Sequence, residues 1–260
     1  MYFSTIIYVY INVFGRIISK DEIHFHLGLK IKKAYIKRWL LTGKGEYLKI
    51  EKKKMRGLSL MKIKKFTGGI LESNGYVIYQ EDGGSCYVID PGHGSGVFVD
   101  FIRKHGLILK GVLLTHHHPD HVGAVKGVVA EIPTETLIHE EDRDRFRGPS
   151  SPLKNGDVLD LDGEEILVIN TPGHTRGGIC FVSESSNVAF TGDTIFADEV
   201  GRSDLEDSDR GELARSIGNI IDKWPNDRVV YPGHGRSTHM GDVKKNNIDY
   251  LNAMERFRCQ

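Results

Sequence analysis

The chain has 260 residues, 39% of them hydrophobic and 27% charged, with a formal net charge of zero. That length can bury one substantial core, and the composition is that of a globular domain rather than a disordered or nucleic-acid-coating chain. Cys86, Cys180 and Cys259 lie far apart with no CxxC pair, which excludes a disulfide framework and a thiolate zinc site and fits a reducing cytoplasm.

The overall neutrality conceals an asymmetry. Residues 1–60 hold 13 Lys and Arg against 4 Asp and Glu, a balance of +9, so the remaining 200 residues carry −9. The apolar run Tyr2 to Phe14 is interrupted by Ser4, Thr5 and Asn12. It has no basic lead and no small-residue cleavage site, and it is too short to span a bilayer. We therefore expect residues 1–60 to be a basic extension foreign to the domain that follows, and translation to begin at Met61. Arg56-Gly57, just upstream, can be encoded by a purine-rich stretch resembling a ribosome-binding site.

From Met61 the chain alternates between short strands and helices. Residues 62–66, Gly75 to Gln80 and Ser85 to Ile89 read as strands, the last ended by Asp90-Pro91-Gly92. Phe98 to His105 reads as an amphipathic helix and Leu107 to Thr115 as a buried strand. A helix start is expected over His121 to Ala130, a strand over Thr136 to His139 and a charged helix over Glu140 to Arg147. Glu165 to Asn170, Ile179 to Val182 and Val188 to Thr191 are further strands. Gly211 to Lys223 places Leu213, Ile217, Ile220 and Ile221 on one helical face, and Arg228 to Tyr231 is a last strand. Strands first and then strand–helix alternation imply a layered α/β fold with loops at the strand ends.

The chemistry lies in those loops. Residues 115–121 read Thr-His-His-His-Pro-Asp-His after an apolar strand. In extended backbone alternate side chains share a direction, so His116 and His118 converge while His117 points elsewhere. Asp120 and His121 follow where Pro119 turns the chain. Three more ligand-type residues each sit just past a strand on a Gly-bearing loop: His174 in Thr-Pro-Gly-His-Thr, Asp193 in Thr-Gly-Asp-Thr and His234 in Tyr-Pro-Gly-His-Gly. Imidazoles and carboxylates in this number suit a borderline divalent ion, zinc above all, with iron and manganese fitting the same donors.

The combination His116-x-His118-x-Asp120-His121 with His174, Asp193 and His234 resembles the metallo-β-lactamase superfamily, over nearly all of residues 61–260. Gly192 to Phe196 and Gly201 to Leu205 look like the small glyoxalase II-like (hydroxyacylglutathione hydrolase-like) members. The resemblance implies a four-layered αββα sandwich with two metal ions at one edge of the two sheets. It implies that His116, His118 and His174 hold the first ion, that Asp120, His121 and His234 hold the second, and that Asp193 bridges them. Asp90 matches an acidic residue that supports the ligands from behind.

Two such ions lower the pKa of a shared water and supply hydroxide near neutrality, with Asp120 both ligating and orienting it as the catalytic carboxylate. A thiol, with a pKa of about 8.5, departs without a dedicated general acid, which favours a thioester such as S-lactoylglutathione over an amide. His117 and Tyr231 are the side chains that could deliver a proton if one were needed. Arg176 and Arg202 lie near ligands in sequence and could meet a substrate carboxylate, surface ion pairing being the competing reading. The rival chemistry is a persulfide dioxygenase with a single non-haem iron. Gly233-His234-Gly235 stands here where such relatives carry Ala-His-Asp, which tilts the reading to hydrolysis. A lactonase or another hydrolase on the same scaffold is the further alternative. The expected partner is a small molecule, with no nucleic acid and no membrane; oligomeric state is not readable.

Overall fold

A computed structural model of the chain describes residues 60–259; the extension expected over residues 1–60 lies outside the described residues, apart from Leu60. Two six-stranded sheets form, one from each half of the described chain. The first contains β1 (Lys62–Gly68), β2 (Ser73–Tyr79), β3 (Ser85–Ile89), β4 (Ile108–Leu113), β5 (Thr136–His139) and β6 (Ser151–Leu153), in that spatial order. Pairing is antiparallel across β1, β2 and β3 and parallel from β3 to β6. The second contains β7 (Val158–Leu161), β8 (Glu164–Asn170), β9 (Ile179–Ser183), β10 (Val188–Gly192), β11 (Val229–Pro232) and β12 (Thr238–His239), again in spatial order.

The strand period of two explains the layering. On β2, Tyr76 and Ile78 join a core with Phe181 and Phe190 of the second sheet, while Val77 and Tyr79 pack outward. On β9, Ile179 and Phe181 point to the same central core, while Cys180 and Val182 point to the opposite face. Strands buried on both faces need continuous apolar runs, and β2, β3, β9 and β10 have them.

Helices cover both outer faces. Phe98 and Ile102 of α1 (Ser95–Lys104) and Val125 and Val128 of α3 (Val125–Glu131) pack on the first sheet; α2 is the single turn Pro119–Val122 between them. Leu213 and Ile217 of α4 (Arg210–Asn219) and Tyr250, Ala253 and Met254 of α6 (Ile248–Arg258) pack on the second, with α5 (Met240–Asn246) leading into α6. The result is the αββα sandwich expected from the resemblance. Cys86 and Cys180 are buried thiols in these faces. Among the described residues no helix is long and apolar enough to cross a membrane.

Two local expectations are corrected, and one hairpin lies where none was expected. Glu140 to Arg147 is not a helix but a set of turns, because Asp142 is 1% exposed and its carboxylate accepts the backbone N–H groups of His117 and Gly177. Gly211 to Lys223 breaks after Asn219 into a 3-10 turn, Ile221–Lys223. β7 and β8 form an unanticipated hairpin, whose tight turn holds Asp162 and Gly163 at φ 51° and 94°, the left-handed pair that a two-residue type I′ loop requires.

Candidate metal centre

All the singled-out ligand residues emerge at one edge of the sandwich, where both sheets end. The loop after β4 carries His116 and His118, and Pro119 opens α2, which presents Asp120 and His121. His174 follows β8, Asp193 follows β10 directly and His234 follows β11 after Gly233. Close approach of these loops depends on glycine. A Cβ on Gly201 would lie 1.8 Å from the Asp193 carbonyl oxygen, and one on Gly233 would lie 2.1 Å from Asp193 Oδ1.

Two clusters result. His116, His118 and His174 offer one ligand atom each within 4.8 Å of one another, and Asp120, His121 and His234 do the same. His118 Nδ1 and His174 Nε2 face each other at 2.9 Å. In the second cluster His234 Nε2 lies 3.2 Å from Asp120 Oδ2 and 3.3 Å from His121 Nε2. Asp193 stands between them: Oδ2 is 3.5 Å from both His174 Nε2 and His234 Nε2, and Oδ1 is 3.3 Å from His121 Nε2.

The outer nitrogens fix which lone pairs point inward. His174 Nδ1 lies 2.8 Å from the Arg202 carbonyl and His234 Nδ1 lies 3.0 Å from the Leu71 carbonyl. A carbonyl only accepts, so each Nδ1 carries a proton and each ring turns its Nε2, the atom that would ligate an ion, toward the cluster. His121 Nδ1 meets Asp90 Oδ2 at 3.1 Å and His116 Nδ1 meets Thr115 Oγ1 at 3.0 Å. Asp90 is 2% exposed, and its other contacts are the Thr115 amide and hydroxyl at 2.8 and 2.5 Å. It therefore lies behind the cluster, on the outer nitrogen of His121. This carboxylate–histidine arrangement sets imidazole tautomer and orientation at metal sites. His116 Nε2, by contrast, is buried with no hydrogen-bond partner, a costly state for a polar atom that a cation would relieve. The donor set and its aim therefore fit divalent ions.

The electrostatics point the same way. Burial, then the neighbouring charge of His121, pushes the His116 imidazole well below its ordinary value, and burial and His174 bring His118 down to about 4. Burial opposes ionisation of Asp193, but His121 and His234 outweigh it and hold the carboxyl well below the usual range. The hydrogen bond to Asp120, then that to Asp193, raises His234 to about 10. The region stabilises negative charge on its carboxylates, keeps His116 and His118 neutral, and favours the charged form of His121 and His234 beside those carboxylates.

The clusters open into a cleft of about 610 Å³. Its walls combine Leu71, Phe196, Val200 and Leu205 with Arg202 and Arg236. Arg202 thus reaches the cleft, paired at 2.9 Å with Asp204, whereas Arg176 is exposed and outside the lining residues. Arg236 was not singled out from sequence, although it lies only two residues past His234; it pairs with Asp198 at 2.8 Å. His117 and Tyr231 also lie outside the lining. Both ring nitrogens of His117 face carboxylates, and Tyr231 packs against Phe190 and Tyr76. Ser73 is a second residue that sequence reasoning missed: its hydroxyl donates to the Asp120 carbonyl at 2.6 Å.

An αββα sandwich with paired His/Asp clusters at its sheet edge defines a class of metal-binding proteins. The profile of the metallo-β-lactamase superfamily matches residues 68–234, and the chain belongs to that superfamily. An uncharacterised protein of Mycobacterium tuberculosis is 32% identical over 225 residues, covering 75% of this chain and all of that one. The hydroxyacylglutathione hydrolase GloC of Haemophilus influenzae is 32% identical over 193 residues, covering 66% of this chain and 90% of that one. Among solved structures, that of TTHA1623 in a di-iron-bound form superposes with a TM-score of 0.63 at 30% identity, covering 71% of this chain and 98% of that one.

Proposed function

We propose that the chain is a dinuclear metal hydrolase of thioesters, acting on S-lactoylglutathione or a related hydroxyacyl thioester. The observation that carries this reading is the convergence of the two His/Asp triplets on Asp193 at the floor of an open cleft. Relatives named hydroxyacylglutathione hydrolases, 32% and 34% identical, supply the substrate class. His116, His118 and His174 would hold one ion and Asp120, His121 and His234 the other, with Asp193 placed to serve both. Zinc is the ion we assign, iron and manganese being the alternatives that the same donors accept. Bound there, two divalent ions would activate a shared water and polarise the thioester carbonyl.

The chain's own residues do the positioning. Asp120, anchored through its carbonyl by Ser73, turns its carboxylate toward His234 and can accept the proton of the attacking water. Leu71, Phe196 and Leu205 provide an apolar wall that limits water around the acyl group. Arg202 and Arg236 at the rim are the cations nearest to an anionic thiol carrier. The departing thiolate, whose conjugate thiol ordinarily titrates at about 8.5, needs no proton donor, in keeping with the engagement of His117 and Tyr231 elsewhere. We place this activity in the cytoplasm, where a small thiol thioester and free cysteines coexist.

The glycines on either side of His234, Gly233 and Gly235, where persulfide dioxygenase relatives carry Ala and Asp, favour this reading over a single-iron persulfide dioxygenase. The test is steady-state hydrolysis of S-lactoylglutathione by the metal-loaded protein, beside a lactone and a persulfide with oxygen uptake recorded. The expected result is thioester turnover exceeding both. Oxygen uptake with persulfide and no thioester turnover would reject the reading.

A further inference from the structure

His117 lies between two proposed ligands in sequence but points away from the metal centre. Its amide and its ring Nδ1 both meet Asp142 Oδ2, at 3.1 and 2.9 Å. Asp142 also accepts from the Thr175 hydroxyl at 2.8 Å and from the Gly177 amide at 2.6 Å. The carboxylate is thus saturated by four donors and buried, so the imidazole ring has one orientation. In that orientation its Nε2 faces Asp207 Oδ2 at 3.2 Å, with the Asp207 side chain only 12% exposed.

Asp207 belongs to the loop Gly201 to Asp209, which forms one side of the cleft through Arg202 and Leu205. The ends of this loop are tied to the domain. The Arg202 carbonyl accepts from His174 Nδ1, and the Asp209 amide donates to the Gly173 carbonyl at 2.8 Å. Between those ends Leu205 and Ser208 bond to each other, amide to hydroxyl and hydroxyl to carbonyl at 2.8 Å each. Those bonds shape the turn but do not anchor it. Among the polar contacts of the described residues, the one that joins the middle of the loop to the body of the domain is His117–Asp207.

We infer that His117, held rigid by Asp142, is a positioning residue that latches the Leu205 wall of the substrate cleft through Asp207. The latch uses a side chain that the metal site's own backbone must present. The spacing that aims His116 and His118 inward necessarily turns His117 toward the opposite side, where Asp142 and Asp207 receive it. Metal binding and cleft shape thereby share one segment of chain. The consequence for catalysis rests on the hydrolase reading above; the consequence for the loop does not.

The test is Asp207→Ala with Asp207→Asn beside it, both as metal-loaded full-length chains. Hydrogen exchange across residues 203–208, metal content, and KM and kcat for S-lactoylglutathione are measured. In Asp207→Ala the amides of that span are expected to exchange faster and KM to rise about tenfold, the scale on which outer positioning partners act. Metal content should stay at the wild-type value and kcat within about twofold, since a loss of ground-state and transition-state binding together raises KM alone. Asp207→Asn retains an acceptor for the ring N–H and should fall between wild type and alanine. Unchanged exchange in Asp207→Ala overturns the latch, as does loss of metal, which would mean that Asp207 acts through the ligands. Faster exchange with an unchanged KM overturns the positioning role. If the wild-type protein fails to hydrolyse the thioester, the hydrolase reading falls and the exchange measurement still decides the latch.

Discussion

Asp120→Ala is expected to lower kcat/KM for thioester hydrolysis by about 10³-fold or more, the upper range for removing a single preorganised electrostatic group. Asp120 reaches both imidazoles of its triplet, 3.2 Å from His234 Nε2 and 3.5 Å from His121 Nε2. Burial opposes its ionisation, but the hydrogen bond from His234 outweighs it and holds the carboxyl below its ordinary value. The side chain is therefore an anion at working pH, available both as a ligand and as the acceptor of a proton from water. Truncation removes both roles at once. It should leave the sandwich intact, because Asp120 contributes no apolar contact to the core and its side chain is 23% exposed. Kinetics on the variant, with circular dichroism to verify the fold, check this. Activity within tenfold of wild type would remove Asp120 from the proposed machinery.

Gly92→Ala is the second large effect, and here the cause is space. Gly92 follows Asp90-Pro91 after β3 and is not among the glycines of positive φ, so alanine meets no conformational penalty. Its Cβ would, however, lie 1.5 Å from the Asp120 carbonyl oxygen and 2.8 Å from the Ser73 hydroxyl. Backbone cannot yield as a flexible side chain does, so the loop bearing Asp120 and His121 must move. Overpacking of this kind costs about 1–3 kcal/mol, and the displacement falls on the second triplet. We expect a lower melting temperature together with loss of one metal ion per chain, followed by thermal denaturation and elemental analysis of the same preparation. A variant with wild-type metal content would show that the loop tolerates the shift.

What was legible in the sequence divides along physical lines. Strands buried on both faces, such as Ser73–Tyr79 and Ile179–Ser183, announced themselves as apolar runs because no face of theirs meets water. The ligand residues were legible because each is a His or Asp within a few residues of a strand end or in the His-rich run that follows β4, and the structure brings all seven to one sheet edge. Asp142 was not legible. It sits in Glu-Glu-Asp-Arg-Asp-Arg, which reads as a solvated helical face, and only burial separates it from its charged neighbours. The Val158–Leu161 and Glu164–Asn170 hairpin did carry a signal, Asp162-Gly163 between alternating residues, that was passed over. The final helices lacked one: mixed Asn, Lys and Arg blur the stripe of Tyr250, Ala253 and Met254 that packs against α4. Arg236 could have been found by the proximity reasoning that selected Arg176 and Arg202, but only the three-dimensional cleft separates the arginines that reach it from the one that does not.

The dinuclear centre is the claim on which the proposed chemistry rests, and metal stoichiometry measured on the purified chain tests it most directly. Elemental analysis of wild type beside Asp193→Ala should return about two divalent ions per wild-type chain, the number that a bridged site requires. The variant should lose most of both, because Asp193 lies within 3.5 Å of imidazoles from each triplet. A single iron per wild-type chain, or an Asp193→Ala protein that keeps its full metal content, would contradict the account.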